Sequence, residues 1–100
     1  MNSFTLTKRA KADLRDIAKF TEKRWGRAQR NMYIKQFDDT FHMLADSPSV
    51  GQDCNYIKQN YKKFPQGSHI IFYQAISHQN IQIIRILHKH MDVNTRLGSS

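Results

Sequence analysis

The segment at residues 81–88, IQIIRILH, constrains what this chain can fold into more than any other. It is almost wholly β-branched or long aliphatic, the composition of a strand. Read with strict alternation, Ile81, Ile83, Arg85 and Leu87 share one face, and Gln82, Ile84, Ile86 and His88 the other. Both faces are apolar at the middle. A strand of this kind lies inside a sheet and is covered on both sides. It therefore needs two strand neighbours, and both must come from a chain of 100 residues.

The preceding segment supplies one. Residues 68–77, SHIIFYQAIS, read as a strand, and residues 61–64, YKKF, as a shorter one. Pro65-Gln66-Gly67 and His78-Gln79-Asn80 are the turns between them, with Gly67 free to take positive φ. These three strands form an antiparallel meander. The other neighbour has one source left, residues 3–7, SFTLT, where Phe4 and Leu6 alternate with hydroxyl residues.

Between the first strand and the meander the period changes. Ala10, Leu14, Ile17, Ala18, Thr21 and Trp25 mark the apolar stripe of an amphipathic helix, with Thr7 as its N-cap and Gly26 at its C-cap position. Tyr33, Phe37, Phe41 and Leu44 mark a second helix, ended near Asp46 by Ser47-Pro48. Helices joined at Gly26 make an antiparallel hairpin. The polar run at 49–60 reads as a loop with room for one helical turn. The order β-α-α-β-β-β predicts an α+β fold: a helical hairpin packed on one face of an antiparallel sheet, first strand beside the last. One domain is expected over residues 1–97, and residues 98–100 read as a flexible tail.

Composition narrows the functional classes. Hydrophobic residues are 39% and charged residues 24%, which is globular rather than disordered. No apolar run approaches the roughly 20 residues of a membrane span. The N-terminal MNSFTLTKRAKADL lacks the pattern of a secretory signal. Cys54 is the sole cysteine, and Cys and His show no zinc-type spacing. The expectation is a cytoplasmic protein with no metal, no cofactor and no membrane partner. Net charge is +8, and residues 8–27 hold eight Lys or Arg against three Asp or Glu. Such a surface suits DNA, RNA or an acidic protein, and charge alone does not choose among them. In RWGRAQR, Arg24, Arg27 and Arg30 surround Gly26, so Trp25 either anchors the hairpin tip or helps present it to a partner.

The stretch FTLTKRAKADLRDIAKFTEKRWGRAQ resembles the N-terminal signature of the ParE toxins, the plasmid-stabilisation branch of the RelE/ParE superfamily. The resemblance is carried by Leu6-Thr7, Ala10, Asp13-Leu14, Ile17, Phe20-Thr21, Trp25-Gly26 and Gln29, then by FPQGSHIIFY and IRILHKHMD further on. It covers residues 4–97. It implies the fold already read from periodicity, and a toxin of a toxin–antitoxin pair. ParE-type members poison DNA gyrase by stabilising its cleaved DNA complex. RelE-type members cut mRNA on the ribosome. A cognate ParD-like antitoxin would neutralise the toxin in a hetero-oligomer, and DNA would be met only through antitoxin or gyrase. A partner-binding module without toxicity is a further alternative.

A nuclease of this fold needs groups that activate a 2′-hydroxyl, stabilise a phosphorane and protonate the leaving oxygen. Lys62, Lys63, His69, Tyr73, Arg85, His88 and His90 are the available candidates. Arg85 and His88 stand an odd number of residues apart, so a regular strand sends them to opposite faces, and only a bulge would reunite them. Arg85 would otherwise pair with Asp92 or Asp13, or face the antitoxin. The expected reading is a gyrase poison without catalytic residues. Its target or antitoxin contacts would be drawn from Trp25, Arg27, Lys62, Lys63, Phe64, Tyr73, Arg85 and His88. Tyr61, Phe64 and Tyr73 would offer apolar anchors on an exposed sheet face.

Overall fold

A computed structural model of the chain describes residues 2–90. β1 (Ser3–Leu6) leads into α1 (Lys8–Trp25) and α2 (Arg27–Asp46). A short 3₁₀ turn (Pro48–Val50) follows, then β2 (Gln52–Asp53), β3 (Tyr61–Gln66), β4 (His69–Ser77) and β5 (Asn80–His88). The sheet order is β1-β5-β4-β3-β2. β5 is flanked on both sides, as its two apolar faces require. β1 is indeed its second neighbour, pairing Ser3 with Asn80 through Leu6 with Ile83. β1 runs parallel to β5, so the sheet is mixed, with the other pairings antiparallel.

Local chemistry sets the helix bounds. The Thr7 hydroxyl accepts from the Ala10 backbone N–H at 3.0 Å, a standard N-cap, and donates to the Ile84 carbonyl at 2.8 Å. One side chain thus starts α1 and ties it to β5. Gly26 is the only residue between the two helices, at φ +96°, and its N–H caps α1 on the Glu22 carbonyl. A side chain there would meet nothing, so the requirement for glycine is purely conformational.

Ala10, Ile17, Phe37, Phe41, Leu44 and Ala45 from the helices pack on Ile71, Tyr73, Ile81, Ile83 and Ile86 of the sheet. Each fully buried side chain of this size contributes about 1.5–3 kcal/mol relative to exposure. A smaller cluster, Cys54, Phe72 and Leu87 with Ile57, Tyr61, Ile70 and Ile84 against it, covers the other face. Burial raises the pKa of the Cys54 thiol.

Three sequence expectations are corrected. First, β5 does not alternate strictly. Phe72 pairs with Arg85 but Tyr73 with Ile83, leaving Ile84 as an extra residue in a bulge. Ile86 therefore joins Ile81 and Ile83 in the helix-side core, and Ile84 joins Leu87 opposite. Second, Pro65 and Gln66 belong to β3, and the turn is Gly67-Ser68. β2 pairs only with Lys62 and Lys63, so Pro65 lies where β3 is a sheet edge, the position a strand proline tolerates. Third, β2 itself, two residues inside a polar run, was not expected. Residues 91–100, with the proposed tail and Asp92, lie outside the described residues.

Candidate functional site

Two places bring α1 against the end of the sheet. At the first, β1 has ended and β5 continues with an open edge. The Asp13 carboxylate fills it, accepting from the Ile86 backbone N–H at 3.0 Å. It also takes both arms of the Arg85 guanidinium, from Nε at 2.8 Å and Nη2 at 3.1 Å. The two side chains are 14% and 15% exposed. The hydrogen bond from Arg85 to Asp13 raises the arginine pKa further, keeping it charged throughout. The bulge at Ile84 precedes Arg85, and pairing is regular from Arg85 to His88, so it does not bring the two side chains together; Arg85 reaches α1 at the open edge through Asp13, and His88 lies beside Ile17 one helical turn further on. Asp13 then holds the guanidinium, so no free Arg/His pair forms.

One turn further along α1 the surface opens into a groove of about 490 Å³. Its walls are Phe20 and Trp25, 63% and 65% exposed. Its floor is Ile17, Thr21 and Tyr33, with Ser68, His69 and His88 closing the far side. His69 and His88 face each other across β4 and β5, rings edge to face at 5.4 Å, and His90 follows at 5.1 Å from His88. Tyr33 fixes His69, its hydroxyl 2.8 Å from Nδ1. The same hydroxyl accepts from the Ser68 N–H at 3.3 Å, seating the β3–β4 turn. Gly67, at φ +59°, is needed there twice over, since a Cβ would also run into the Tyr33 ring. Burial, then the neighbouring His88, lowers the His69 pKa, so the ring favours its neutral form.

The remaining candidates do not converge on one site. Trp25 is no core anchor: it stands at the hairpin tip with the Arg24 guanidinium 5.4 Å from its ring. Arg30 pairs with Glu22, whereas Arg24 and Arg27 have no carboxylate partner among the described residues. Lys62 binds Asp53 across β2 and β3, and Lys63 reaches the Tyr56 hydroxyl at 3.3 Å. Phe64 packs at the margin of the helix-side core, whereas Tyr61 packs on the opposite face. Tyr73 is fully buried, its hydroxyl donating to the Pro48 carbonyl at 2.7 Å and accepting from the Gly51 N–H at 2.9 Å. Tyr61, Phe64 and Tyr73 are therefore not one exposed face, and Tyr73 is not available to a partner. His42 lies exposed on α2, edge-on to Phe4 at 4.9 Å.

Phe20, Thr21 and Tyr33 were missed as parts of a site. Phe20 carried a usable signal: it is an aromatic residue off the buried stripe of α1, on a charged face. Thr21 and Tyr33 carried none, because both sit on apolar stripes and read as core.

The family model described as ParE toxin of type II toxin-antitoxin system, parDE, matches residues 4–93. Toxin ParE1 of Caulobacter vibrioides is 37% identical over 98 residues, spanning 98% of this chain and all of that protein. Toxin ParE1 of Mycobacterium tuberculosis is 33% identical over 94 residues, 94% of this chain and 96% of its own. Toxin ParE of Escherichia coli is 30% identical over 98 residues, 98% and 95% of the two chains. Among solved structures, a chain from the chromosomal ParDE TA system of P. aeruginosa superposes with a TM-score of 0.72 at 18% identity, over 88% of this chain and 96% of that one. The fold, the near-complete match and these relatives together place the chain in the ParE toxin family of type II toxin–antitoxin systems.

Proposed function

We propose that this toxin acts in the cytoplasm by poisoning DNA gyrase rather than as an enzyme, and that a ParD-like antitoxin neutralises it by direct binding. The observation that carries the reading is the state of Arg85. A nuclease on this fold would need a free cation beside an acid–base group to stabilise the phosphorane. Here the one arginine near His88 on β5 is clamped by Asp13, and Lys62 is paired with Asp53 at a distance along the sheet. The basic hairpin tip, with Trp25 and Arg27, is the surface proposed to meet gyrase or its bound DNA. Lys62, Lys63, Phe64 and His88 are proposed as antitoxin contacts, where an acidic segment would be steered by the +8 net charge.

The test is a supercoiling assay with purified gyrase, ATP and relaxed plasmid, run beside an mRNA-cleavage assay on translating ribosomes. Inhibited supercoiling or linear plasmid with intact mRNA is the expected result. Cut mRNA with normal supercoiling would sink the proposal and return Lys62, Arg85 and His88 to a catalytic role. No growth defect without antitoxin would instead identify a module that binds partners without toxicity.

A further inference from the structure

The groove between Phe20 and Trp25 has features that core packing does not explain. Thr21 is the one buried polar residue among the described residues, 7% exposed, and its hydroxyl has no hydrogen-bond partner among them. It is nevertheless not sealed, because no buried side-chain polar atom is both enclosed and unpaired. It therefore opens into the groove it lines. An accessible hydroxyl at the base of an apolar slot is met by water and can exchange that water for a polar group that enters.

The walls and mouth specify what could enter. Two exposed aromatic rings flank the slot, suited to a flat π-system. Asp16 and Gln29 line its rim and offer an acceptor and an amide. The mouth is cationic: Lys23 and Arg24 close α1, Arg27 opens α2, and none of them has a carboxylate partner among the described residues. Lys19, one turn before Lys23, extends the positive charge along α1, whereas Lys11 and Arg15 line a separate depression against Ile34 of α2. Two of that helix's three carboxylates, Asp13 and Glu22, are already paired with arginines. A small anion would need only the mouth, whereas a polyanion can also reach Lys19 beside it.

We propose that the groove holds one base of a single-stranded nucleic acid. The base stacks on Trp25 and Phe20, hydrogen-bonds Thr21 and gives its exocyclic amino group to Asp16, while the flanking phosphates run over Arg24, Lys23 and Lys19. Stacking platforms set beside a basic track are the general means of single-strand capture. A duplex keeps its bases inside the stack and gains only the charge attraction. The inference does not depend on the gyrase reading.

Trp25 is the sole tryptophan of the chain, so its emission reports the site directly. The purified full-length toxin is titrated with oligo(dA) of about fifteen nucleotides, close to the single-strand site sizes of small domains. The comparators are the same strand annealed to oligo(dT), and deoxyadenosine monophosphate. The expected result is saturable quenching by the single strand, with weaker quenching by the duplex and by the mononucleotide. Thr21→Val, which keeps the shape, and Phe20→Ala, at an exposed position, should each weaken binding by about tenfold without changing its salt dependence. Arg24→Gln should instead flatten the salt dependence. Circular dichroism checks that each variant is folded. Equal quenching by strand and duplex would overturn the proposal, leaving only charge attraction. So would full affinity for the mononucleotide alone, or unchanged binding in folded Thr21→Val.

Discussion

The two ends of α1 are built on opposite principles. At its start the polar groups turned toward the sheet have partners: Thr7 caps the helix and holds Ile84, while Asp13 takes Arg85 and the open N–H of Ile86. At its end, Phe20 and Trp25 stand in solvent, Thr21 keeps a free hydroxyl, and Arg24 and Arg27 have no carboxylate partner among the described residues. Both ends carry the same residue types, charged and aromatic. The difference is whether the sheet supplies complementary groups. β5 does so as far as Ile86, and past that point α1 borders a groove that no described residue fills. Stability and recognition are thus divided along a single helix.

The division can be broken from its firm end. Asp13→Ala leaves Arg85 without its partner and Ile86 without an acceptor, and should cost about 3–5 kcal/mol in urea unfolding. Replacing Asp13 and Arg85 together by apolar residues of similar volume should recover most of that loss; if it does not, the edge N–H matters more than the ion pair. Thr7→Ala should cost about 1–2 kcal/mol as a lost cap, and more if the bond to Ile84 is also needed. At the open end, Trp25→Ala should change stability by no more than about 0.5 kcal/mol, yet abolish the growth defect caused by the free toxin. A large stability loss there would erase the contrast.

Acid probes the boundary between the two ends. His69 has a lowered pKa in the folded chain, so the unfolded chain takes up the proton first. Its contribution is complete above the ordinary imidazole value of about 6.5 and is lost as pH falls through the depressed folded value. His88 and Asp13 act on the same ring with opposite signs, and the Tyr33 hydroxyl lies against its Nδ1. The expected observation is a urea midpoint that declines between pH 7 and pH 5, and a shallower decline in His69→Gln.

Much of the fold was legible because neighbouring residues announce it. Thr7 and Gly26 bound α1 from sequence alone, and the two apolar faces of β5 required β1 as its neighbour. What escaped depends on residues distant in sequence. The bulge at Ile84 exists because Phe72 and Tyr73 on the next strand fix a register that alternation within β5 cannot reveal. β2 has no periodicity of its own and is held by Lys62 and Lys63. Tyr73 was misplaced for the same reason. A tyrosine in a strand looks exposed until Pro48 and Gly51, more than twenty residues earlier, offer its hydroxyl a buried pair of partners. The groove was the least legible part, since a cavity is a relation between α1, α2 and two strand ends.

The placement of β1 has a consequence for how the chain is made. Its strand partner is β5, so Ser3 waits for Asn80. During synthesis the helical hairpin can form from local contacts while β1 trails with both edges unpaired. Asp13, Arg85 and the closed sheet come together only after residue 86 has left the ribosome. A chain broken off before Asn80 keeps the basic hairpin and the β3–β4 pair but lacks the strand that joins β1 and Asp13 to them, so the domain closes only once β5 has been made.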